Sequence, residues 1–370
     1  MKILLVRLRL IGDAVFTTPL VGALRRRYPQ AQLTYLVEPT AAPVVVGSRH
    51  LDEVIVVPKP SGLARVHQDL STARQLWHRR FDLAIDLHGG PRSAWLTLAT
   101  WAPMRIGYRI PGRTWMYTHV VPRPDGLHPR HSVANQWDLL TPLGFGPCEP
   151  ARDPVEMPDD PGAAARVDRR LAESGIASLH RLIVVHVSAG NPFRRWPPDS
   201  FATLVEELAR RDPARRFMIT SGPSDAGAAR AVAERVAQRL GDTRRAMVCD
   251  DFDLAELRAL AARAAVYVGG DSGPLHIAAT TETPIVALFG PTLSERSMPW
   301  RDRRWFSEAI DAGPLPCRPC HQRTCEPGDF RCLTGIAADR VAAAVERALV
   351  SARTTTGADL RLSQSRALPA

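Results

Sequence analysis

The chain alternates short β-branched runs with longer amphipathic segments, and this alternation constrains its fold more than any other feature. Strands that are separated by helices of this length pair in parallel, so the pattern predicts βαβ units and an α/β fold class. In the first half, we predict strands at 2–6, 32–37, 53–57 and 82–86, and helices at 14–27 and 63–80.

A second series of strands and helices begins after a segment at 146–161 that is dense in Pro and Asp and is typical of a linker. Its predicted strands are 181–187, 216–220, 246–249, 265–268 and 284–289, and its predicted helices are 200–210, 226–240, 254–264 and 274–281. We therefore expect two Rossmann-like domains, at 1–160 and 161–350, with a disordered tail at 351–370. A ligand is expected in a central cleft faced by the two sheets.

The composition is that of a globular protein, with 45% hydrophobic and 23% charged residues in 370. Arg7 and Arg9 interrupt the apolar amino terminus, and we find no run of about 18 apolar residues that could span a bilayer. Six cysteines, four of them crowded together, do not resemble a distributed disulfide framework. We expect a cytoplasmic protein whose membrane contact, if any, is peripheral.

The formal net charge of +10 is carried by arginine, since Lys2 and Lys59 are the only lysines. This skew is consistent with a GC-rich genome, but it also fits attraction to an anionic partner such as a phosphorylated lipid, a nucleotide or nucleic acid. Charge alone does not choose among these partners.

Several enzyme classes are disfavoured by missing motifs. The sequence has no G-x-x-x-x-G-K-[ST], no G-x-G-x-x-G after the first strand, and no G-x-S-x-G. A D-x-D stands at 251–253 and is a known form of metal site in sugar transferases. However, Glu256 follows Asp253 by three residues, and we interpret this pair as a helix capping box.

The segment from Val266 to Ala279 carries the strongest indication of a ligand site. A strand runs through glycines directly into a helix, which directs backbone N–H groups and the positive end of a helix dipole at a bound anion. We predict donor binding by Asp271, Ser272, Gly273 and His276. The alternative is that Asp271 or Ser272 only caps the helix and that His276 only packs.

This segment, with Gly290-Pro291-Thr292 after the next strand, resembles the D-[ST]-G-x-x-H…G-P-T pattern of glycosyltransferase family 9, the heptosyltransferases of lipopolysaccharide core synthesis. The amino terminus agrees, since Gly12-Asp13 and Thr17-Thr18-Pro19 stand in the register of that family's opening motif. The resemblance extends from Met1 to about Leu349. It implies the GT-B architecture, with an acceptor-binding first domain and a nucleotide-sugar-binding second domain.

The resemblance also implies roles for individual residues. Asp13 matches the catalytic base, with the N-cap of a helix from Ala14 as its structural alternative. Ser188 and Arg194 match positions that hold the donor phosphates, although Arg194 replaces the usual lysine; Arg195 is expected to be a solvated neighbour. Phe252 matches an adenine-pocket position and Asp225 lies near that of a ribose-binding acid, but a core aromatic and a helix cap explain them nearly as well.

Four cysteines, Cys317, Cys320, Cys325 and Cys332, have spacings suited to a metal held by four thiolates. The segment resembles a cysteine insertion in one branch of the family, some members of which hold iron there. We predict a structural iron or zinc, with reduced cysteines packing a loop as the alternative. No cofactor is expected for catalysis.

The family implies an inverting, metal-independent transfer of heptose from ADP-L-glycero-β-D-manno-heptose to an inner-core lipid that carries Kdo and phosphates. Regions 105–113 and 128–131 are candidates for the acidic acceptor, or they are solvated faces. A protein acceptor is one alternative. A nucleic-acid-binding protein with a four-cysteine metal site is another, although we expect no nucleic-acid partner.

Overall fold

The computed structural model describes residues 1–176, 181–222, 225–249 and 251–365. The chain divides into two compact units. The first holds Met1–Pro158 and Trp300–Asp302, and the second holds Asp159–Pro299 and the chain from Arg303 onward.

The first unit is a parallel sheet with helices between its strands. Its strands are β1 (Lys2–Val6), β2 (Gln32–Val37), β3 (Glu53–Val56), β4 (Leu83–Asp86), β5 (Met104–Tyr108) and β6 (His119–Val121). Its helices are α1 (Ile11–Arg27), α2 (Gly62–Arg79), α3 (Pro91–Ala99) and α4 (Ser132–Trp137), with 3₁₀ turns at Ala42–Val44, Thr114–Met116 and Asp138–Leu143.

The strand order of this sheet is β3-β2-β1-β4-β5-β6. Leu4 of β1 lies beside Thr34 of β2 on one side and beside Ala84 of β4 on the other, both in parallel register. This order is the Rossmann arrangement, in which the connections leave in opposite directions from the two central strands. Ligands bind at that switch point because the loops after β1 and β4 separate there.

The second unit repeats this plan. Its strands are β7 (Leu182–His186), β8 (Arg216–Thr220), β9 (Ala246–Cys249), β10 (Val266–Gly270), β11 (Ile285–Phe289) and β12 (Ser307–Asp311). Its helices are α5 (Pro161–Glu173), α6 (Pro198–Arg211), α7 (Ala226–Leu240), α8 (Leu254–Arg263), α9 (Gly273–Ala278), α10 (Ser294–Ser297), α11 (Arg331–Thr334) and α12 (Ala338–Ser365), with a 3₁₀ turn at Pro192–Arg194.

The second sheet has the order β12-β11-β10-β7-β8-β9, which is the same Rossmann order with its switch point between β7 and β10. Its inner strands β7, β10 and β11 are buried on both faces, as parallel strands covered by helices must be. The apolar core of this unit packs residues of α6, α7 and α12 against the strands. Within it, the Trp196 and Phe201 rings are in edge-to-face contact, with their centroids 4.8 Å apart. Two Rossmann-like domains of α/β class are therefore confirmed.

The boundary between the two units, at Pro158 and Asp159, falls within segment 146–161, and in the first part of that segment Asp153 is buried and forms an ion pair with Arg26 of α1. The structure differs from the sequence prediction near the carboxyl terminus. Helix α12 continues through residues 351–365, which we predicted as disordered, and residues 366–370 lie outside the described residues. In the described ranges, no helix combines the length and the hydrophobicity that crossing a bilayer requires.

Candidate active site

Asp13 lies at the switch point of the first sheet, in the first turn of α1. The Arg7 guanidinium, which follows β1, forms an ion pair with the Asp13 carboxylate. The same guanidinium donates to the Leu87 carbonyl oxygen at 2.7 Å, on the loop after β4. Arg7 is buried, whereas the Asp13 side chain is 31% exposed. The carboxylate is thus held in one position and remains open to a substrate hydroxyl.

The structural alternative that the sequence suggested for Asp13 is wrong. Helix α1 begins at Ile11 instead of Ala14, and its N-cap is Leu10, which makes no side-chain cap hydrogen bond. Leu10 has φ of 70°, a left-handed conformation that is uncommon outside glycine. Asp13 therefore sits inside the helix, and its structural partner is Arg7.

A cationic cluster that the sequence analysis did not identify surrounds His88, on the loop after β4. Burial, together with the charges of Arg7, Arg9, Arg123 and Lys59, lowers the pKa of His88 to about 3. Those cations come from the loops that follow β1, β3 and β6, so they converge at the carboxyl edge of the sheet. Arg9, Lys59 and Arg123 are exposed, so this edge presents positive charge to solvent.

The two regions predicted to contact an acceptor are engaged within the first unit. Arg105 donates to the Met116 and Ala102 carbonyl oxygens at 2.9 and 2.6 Å. Arg130 forms a two-point ion pair with Asp138, and the His131 ring accepts from the Val133 N–H at 3.1 Å as the cap of α4. These contacts account for the positions of Arg105, Arg130 and His131 by local structure, and acceptor contact by the two regions stays a prediction.

The second switch point brings Asp271 and Arg194 together. Asp271 directly follows β10 and is buried, and its carboxylate lies 3.0 Å from Arg194 Nη1 and 3.5 Å from His276 Nε2. Burial alone would raise the pKa of Asp271, but the hydrogen bond from His276 and the charge of Arg194 outweigh it and hold that pKa below its usual value. Three residues predicted separately to bind the donor thus form one connected group.

The Ser272 hydroxyl is buried and has no hydrogen-bond partner among the residues that the structure describes. A buried orphan hydroxyl costs free energy, so a ligand oxygen is the natural partner for it. Ser272 is the N-cap of α9 but makes no side-chain cap hydrogen bond. Since α9 has only six residues and is shorter than predicted, a helix dipole contributes less here than the sequence suggested.

The glycines before Asp271 allow two loops to approach closely. A Cβ atom on Gly270 would stand 3.0 Å from the Arg194 carbonyl oxygen, which is closer than ordinary side-chain contacts. The absence of a side chain at Gly270 therefore lets the 3₁₀ turn that carries Arg194 lie against the end of β10. Gly273, also predicted for donor binding, is the first residue of α9.

Ser188, Asp225 and Arg195 form a second connected group in this unit. The Ser188 hydroxyl donates to Asp225 Oδ2 at 2.6 Å, and Arg195 Nη1 lies 2.8 Å from Asp225 Oδ1. Arg195 also donates to the Ala189 carbonyl oxygen at 2.8 Å. The expectation that Arg195 is a solvated neighbour is wrong, because its guanidinium fixes the buried Asp225 carboxylate. Asp225 makes no side-chain cap hydrogen bond to α7.

Phe252 makes no contact with either of these groups among the described contacts. Its side chain is half-buried, and the Arg170 guanidinium lies 4.9 Å from the ring centroid.

The neighbouring capping box is confirmed. Asp253 accepts from the Glu256 N–H at 2.8 Å, and Glu256 accepts from the Asp253 N–H at 3.0 Å. Asp251 forms an ion pair with Arg170, and residue 250 lies outside the described residues. Helix capping and ion pairing therefore account for Asp253 and Asp251.

The cysteine-rich segment, residues 317–332, contacts the turn that carries Arg194, although the sequence analysis did not connect the two. Gln322 Oε1 accepts from Arg194 Nε at 2.7 Å and from Asn191 Nδ2 at 2.9 Å. Arg318 donates to the Thr292 carbonyl oxygen at 3.0 Å, and the Phe330 ring lies 5.3 Å from that of Phe193. This segment thus supports the position of Arg194.

The thiols of Cys317, Cys320, Cys325 and Cys332 are free and partly buried. Burial and the three neighbouring cysteines raise the pKa of Cys332 to about 11, so the four thiols are close enough to interact. As arranged in the described part of the chain, however, no three His, Cys, Asp or Glu side chains form a group that would hold a metal ion. Four thiolates are still the donor type that zinc and iron prefer.

Comparisons with known proteins agree with this arrangement. The family model described as glycosyltransferase family 9 (heptosyltransferase) matches residues 70–329. Lipopolysaccharide heptosyltransferase 3 of Escherichia coli is 26% identical over 94% of this chain and 99% of the relative.

Solved structures of similar proteins share the fold. A family 9 glycosyltransferase from Veillonella parvula superposes with a TM-score of 0.82 at 21% identity, covering 94% of this chain and 97% of that one. The ADP-heptose lipopolysaccharide heptosyltransferase II of Escherichia coli gives 0.72 at 21% identity, with 95% and 99% covered. The predicted GT-B fold class is confirmed.

Proposed function

The chain belongs to glycosyltransferase family 9 (heptosyltransferase) and is therefore a transferase enzyme, and we propose that it transfers heptose from ADP-L-glycero-β-D-manno-heptose to the inner core of lipopolysaccharide. The observation that carries this proposal is the group formed by Asp271, Arg194 and the orphan Ser272 hydroxyl at the second switch point. The relatives are lipopolysaccharide heptosyltransferases, which supports a heptosyl donor and a lipopolysaccharide acceptor.

On the donor side, Arg194 binds the diphosphate of the nucleotide sugar. Its guanidinium is 31% exposed, so it can donate to phosphate oxygens while Gln322 and Asp271 hold its other edges. The Ser272 hydroxyl, after the central strand β10, donates to a phosphate oxygen. Ser188, after the central strand β7, fixes Asp225 through its hydroxyl, and Gly273 and His276 complete this side of the site. Asp225 and Phe252 are assigned to the ribose and the adenine.

On the acceptor side, Asp13 acts as the general base. Its carboxylate takes the proton from the acceptor hydroxyl while that oxygen forms a bond to the anomeric carbon. The bond from that carbon to the phosphate oxygen breaks on the opposite face, so the configuration inverts. ADP leaves with the bonding electrons, and Arg194 stabilises the negative charge that develops on it. No metal takes part in this step.

We infer an acidic acceptor from the positive charge at the carboxyl edge of the first sheet. Arg9, Lys59 and Arg123 around His88 provide exposed positive charge near Asp13, from loops after three different strands. Phosphate and carboxylate groups of a Kdo-bearing lipid are the anions that such a cluster would bind. We place the enzyme in the cytoplasm, at the inner face of the membrane that carries this lipid.

The four cysteines hold a structural iron or zinc in this proposal. The metal would stabilise the segment that carries Gln322 and would take no part in the transfer. The support is the spacing of the cysteines and the free state of their thiols.

The test is turnover of ADP-heptose with a panel of truncated core lipids, with the linkage and anomeric configuration of the product read by mass spectrometry and NMR. We expect transfer to an inner-core acceptor with inversion at the anomeric carbon. Transfer only to a polypeptide would contradict the lipid acceptor and indicate a protein acceptor. Retention of the anomeric configuration would contradict the role of Asp13 as general base.

A further inference from the structure

Helix α2 exposes a row of large apolar side chains. Leu63, Val66, Leu70 and Trp77 are 87, 56, 57 and 40% exposed. With 3.6 residues per turn, these four positions fall within about 60° of one another around the helix axis. We call this row the α2 stripe.

The rest of α2 shows that this exposure is not a consequence of loose packing all around the helix. Thr72 and Leu76 are buried against the first unit, and they lie on a different side of the helix from the stripe. A helix that needed only to cover the sheet would carry polar residues where the stripe stands. An apolar row of this kind marks a surface that binds something else.

Positive charge flanks the α2 stripe. Residues 59–80 contain five basic side chains, Lys59, Arg65, Arg74, Arg79 and Arg80, against one acidic side chain, Asp69. Arg74 is exposed one helical turn after Leu70 of the stripe. The Arg80 guanidinium lies 5.1 Å from the Trp77 ring centroid. Leucine, valine and tryptophan between arginines are typical of a helix that lies in the interface of an anionic bilayer.

We propose that α2 docks the enzyme onto an anionic membrane surface, with the α2 stripe inserted among the lipid headgroups. The stripe suits a bilayer better than a protein partner, because a stable protein interface uses roughly 20–30 residues a side. This inference rests on the proposed function for its purpose, which is to bring the enzyme to a lipid acceptor. The docking itself is measured without any sugar transfer.

The position of α2 in the sheet fits this purpose. β3 leads into α2 as β1 leads into α1, and the two strands are parallel. The amino end of α2, with Leu63, therefore lies at the same edge of the first sheet as Asp13. A bilayer bound along the stripe would present its headgroups on the side from which the acceptor reaches the base.

The experiment measures flotation of the full chain with vesicles of phosphatidylglycerol and phosphatidylcholine, compared with phosphatidylcholine alone. We expect binding to the anionic vesicles that weakens with salt. Leu63→Asn with Leu70→Asn should raise the lipid concentration for half-binding at least about tenfold, because membrane affinity scales with buried apolar area. Arg74→Glu should weaken binding to anionic vesicles and leave binding to neutral vesicles unchanged.

Val350→Asn is the matched control, since Val350 is 64% exposed but belongs to the second unit. It should bind vesicles like the unaltered protein, and the variants should keep their melting temperatures. Equal vesicle binding by the stripe variant and the unaltered protein would overturn the proposal. A dimer without lipid that the stripe variant converts to a monomer would also overturn it.

Docking and the proposed function fail separately. Turnover with a delipidated acceptor but no vesicle binding would remove the docking surface and leave the enzyme activity intact. Vesicle binding through the stripe with no heptose transfer to any acceptor would keep the docking surface and remove the proposed function.

Discussion

Asp13 and Arg7 form the ion pair on which the proposed acceptor chemistry depends. Asp13 to Asn keeps the size of the side chain and removes the carboxylate that would accept a proton. Since Asp13 is not the cap of α1, the substitution loses no cap hydrogen bond. The partner Arg7 retains its bond to the Leu87 carbonyl oxygen.

We therefore expect Asp13→Asn to lower turnover by about 10²–10⁴-fold, the range typical of losing a general base. Donor affinity, measured by calorimetry with ADP, and the melting temperature should change little. If turnover falls by less than about tenfold, Asp13 is not the general base and another residue must take the proton.

Arg194 is the residue assigned to the diphosphate. Arg194→Ala should weaken ADP binding by about 1.5–3 kcal/mol, which corresponds to about ten- to a hundredfold in Kd, the scale for hydrogen bonds to charged groups. Arg235, which pairs with Asp199 in the same unit, offers a matched control, and Arg235→Ala should leave ADP affinity unchanged. Unaltered calorimetric affinity in a folded Arg194→Ala protein would exclude this contact.

At the scale of single elements, the cysteine-rich segment combines two functions that the sequence suggested were separate. It carries the four thiols, and through Gln322 it holds Arg194 in place. Any change in the fold of this segment therefore reaches the donor loop without altering a residue that touches the donor.

Gln322→Ala should raise the Kd for ADP by about two- to tenfold, less than the loss of Arg194 itself, because Gln322 acts on ADP only by positioning that guanidinium. The adjacent exposed residue provides the control, since Arg323→Ala should leave the Kd unchanged. The loss should disappear when Arg194 is already alanine, because Gln322 acts through that residue. Additive losses in the double variant would contradict the positioning role.

Protein purified without added metal should contain about one iron or zinc per chain, bound by the four thiolates. Cys320→Ser should release this metal, whereas Cys148→Ser, which alters a cysteine of the first unit, should not. Elemental analysis that finds no metal after anaerobic purification would rule out the metal site and leave the transferase assignment untouched.

At the scale of the whole molecule, the net charge of +10 is the excess of cations over carboxylates. Many guanidinium groups face carboxylates within their own unit. Arg239 pairs with Glu206, Arg263 with Asp168 and Arg215 with Glu346. Each pair cancels one charge of each sign, so pairing fixes these side chains in the fold and leaves the net charge unchanged.

We expect the protein to bind ADP at roughly 150 mM salt, the physiological range, and to show no measurable affinity for a short DNA duplex under the same conditions. DNA binding at low salt should fall steeply as salt rises, because it would depend on phosphate contacts alone. Fluorescence anisotropy across a salt series measures both. Tight DNA or RNA binding at physiological salt would favour a nucleic-acid-binding protein instead.

Local sequence was sufficient for the elements whose periodicity is strong. Strands β1, β2, β8 and β9 and helix α7 have the bounds that the sequence predicted, because buried β-branched runs and long amphipathic segments have few alternative structures. The family and the fold class followed from two long motifs in the correct order, and both are confirmed. Short elements such as β6, with three residues, have too little pattern to be recognised.

Contacts between residues far apart in the chain were decided only by the tertiary structure. Four such contacts join segments that follow different strands: Arg7 with the Leu87 carbonyl oxygen, the cations around His88, the Arg195–Asp225 pair, and Gln322 with Arg194. Periodicity describes which face of an element is buried, but it does not say which loops meet at one edge of a sheet. Strand order determines that, and strand order is set by packing of the whole domain.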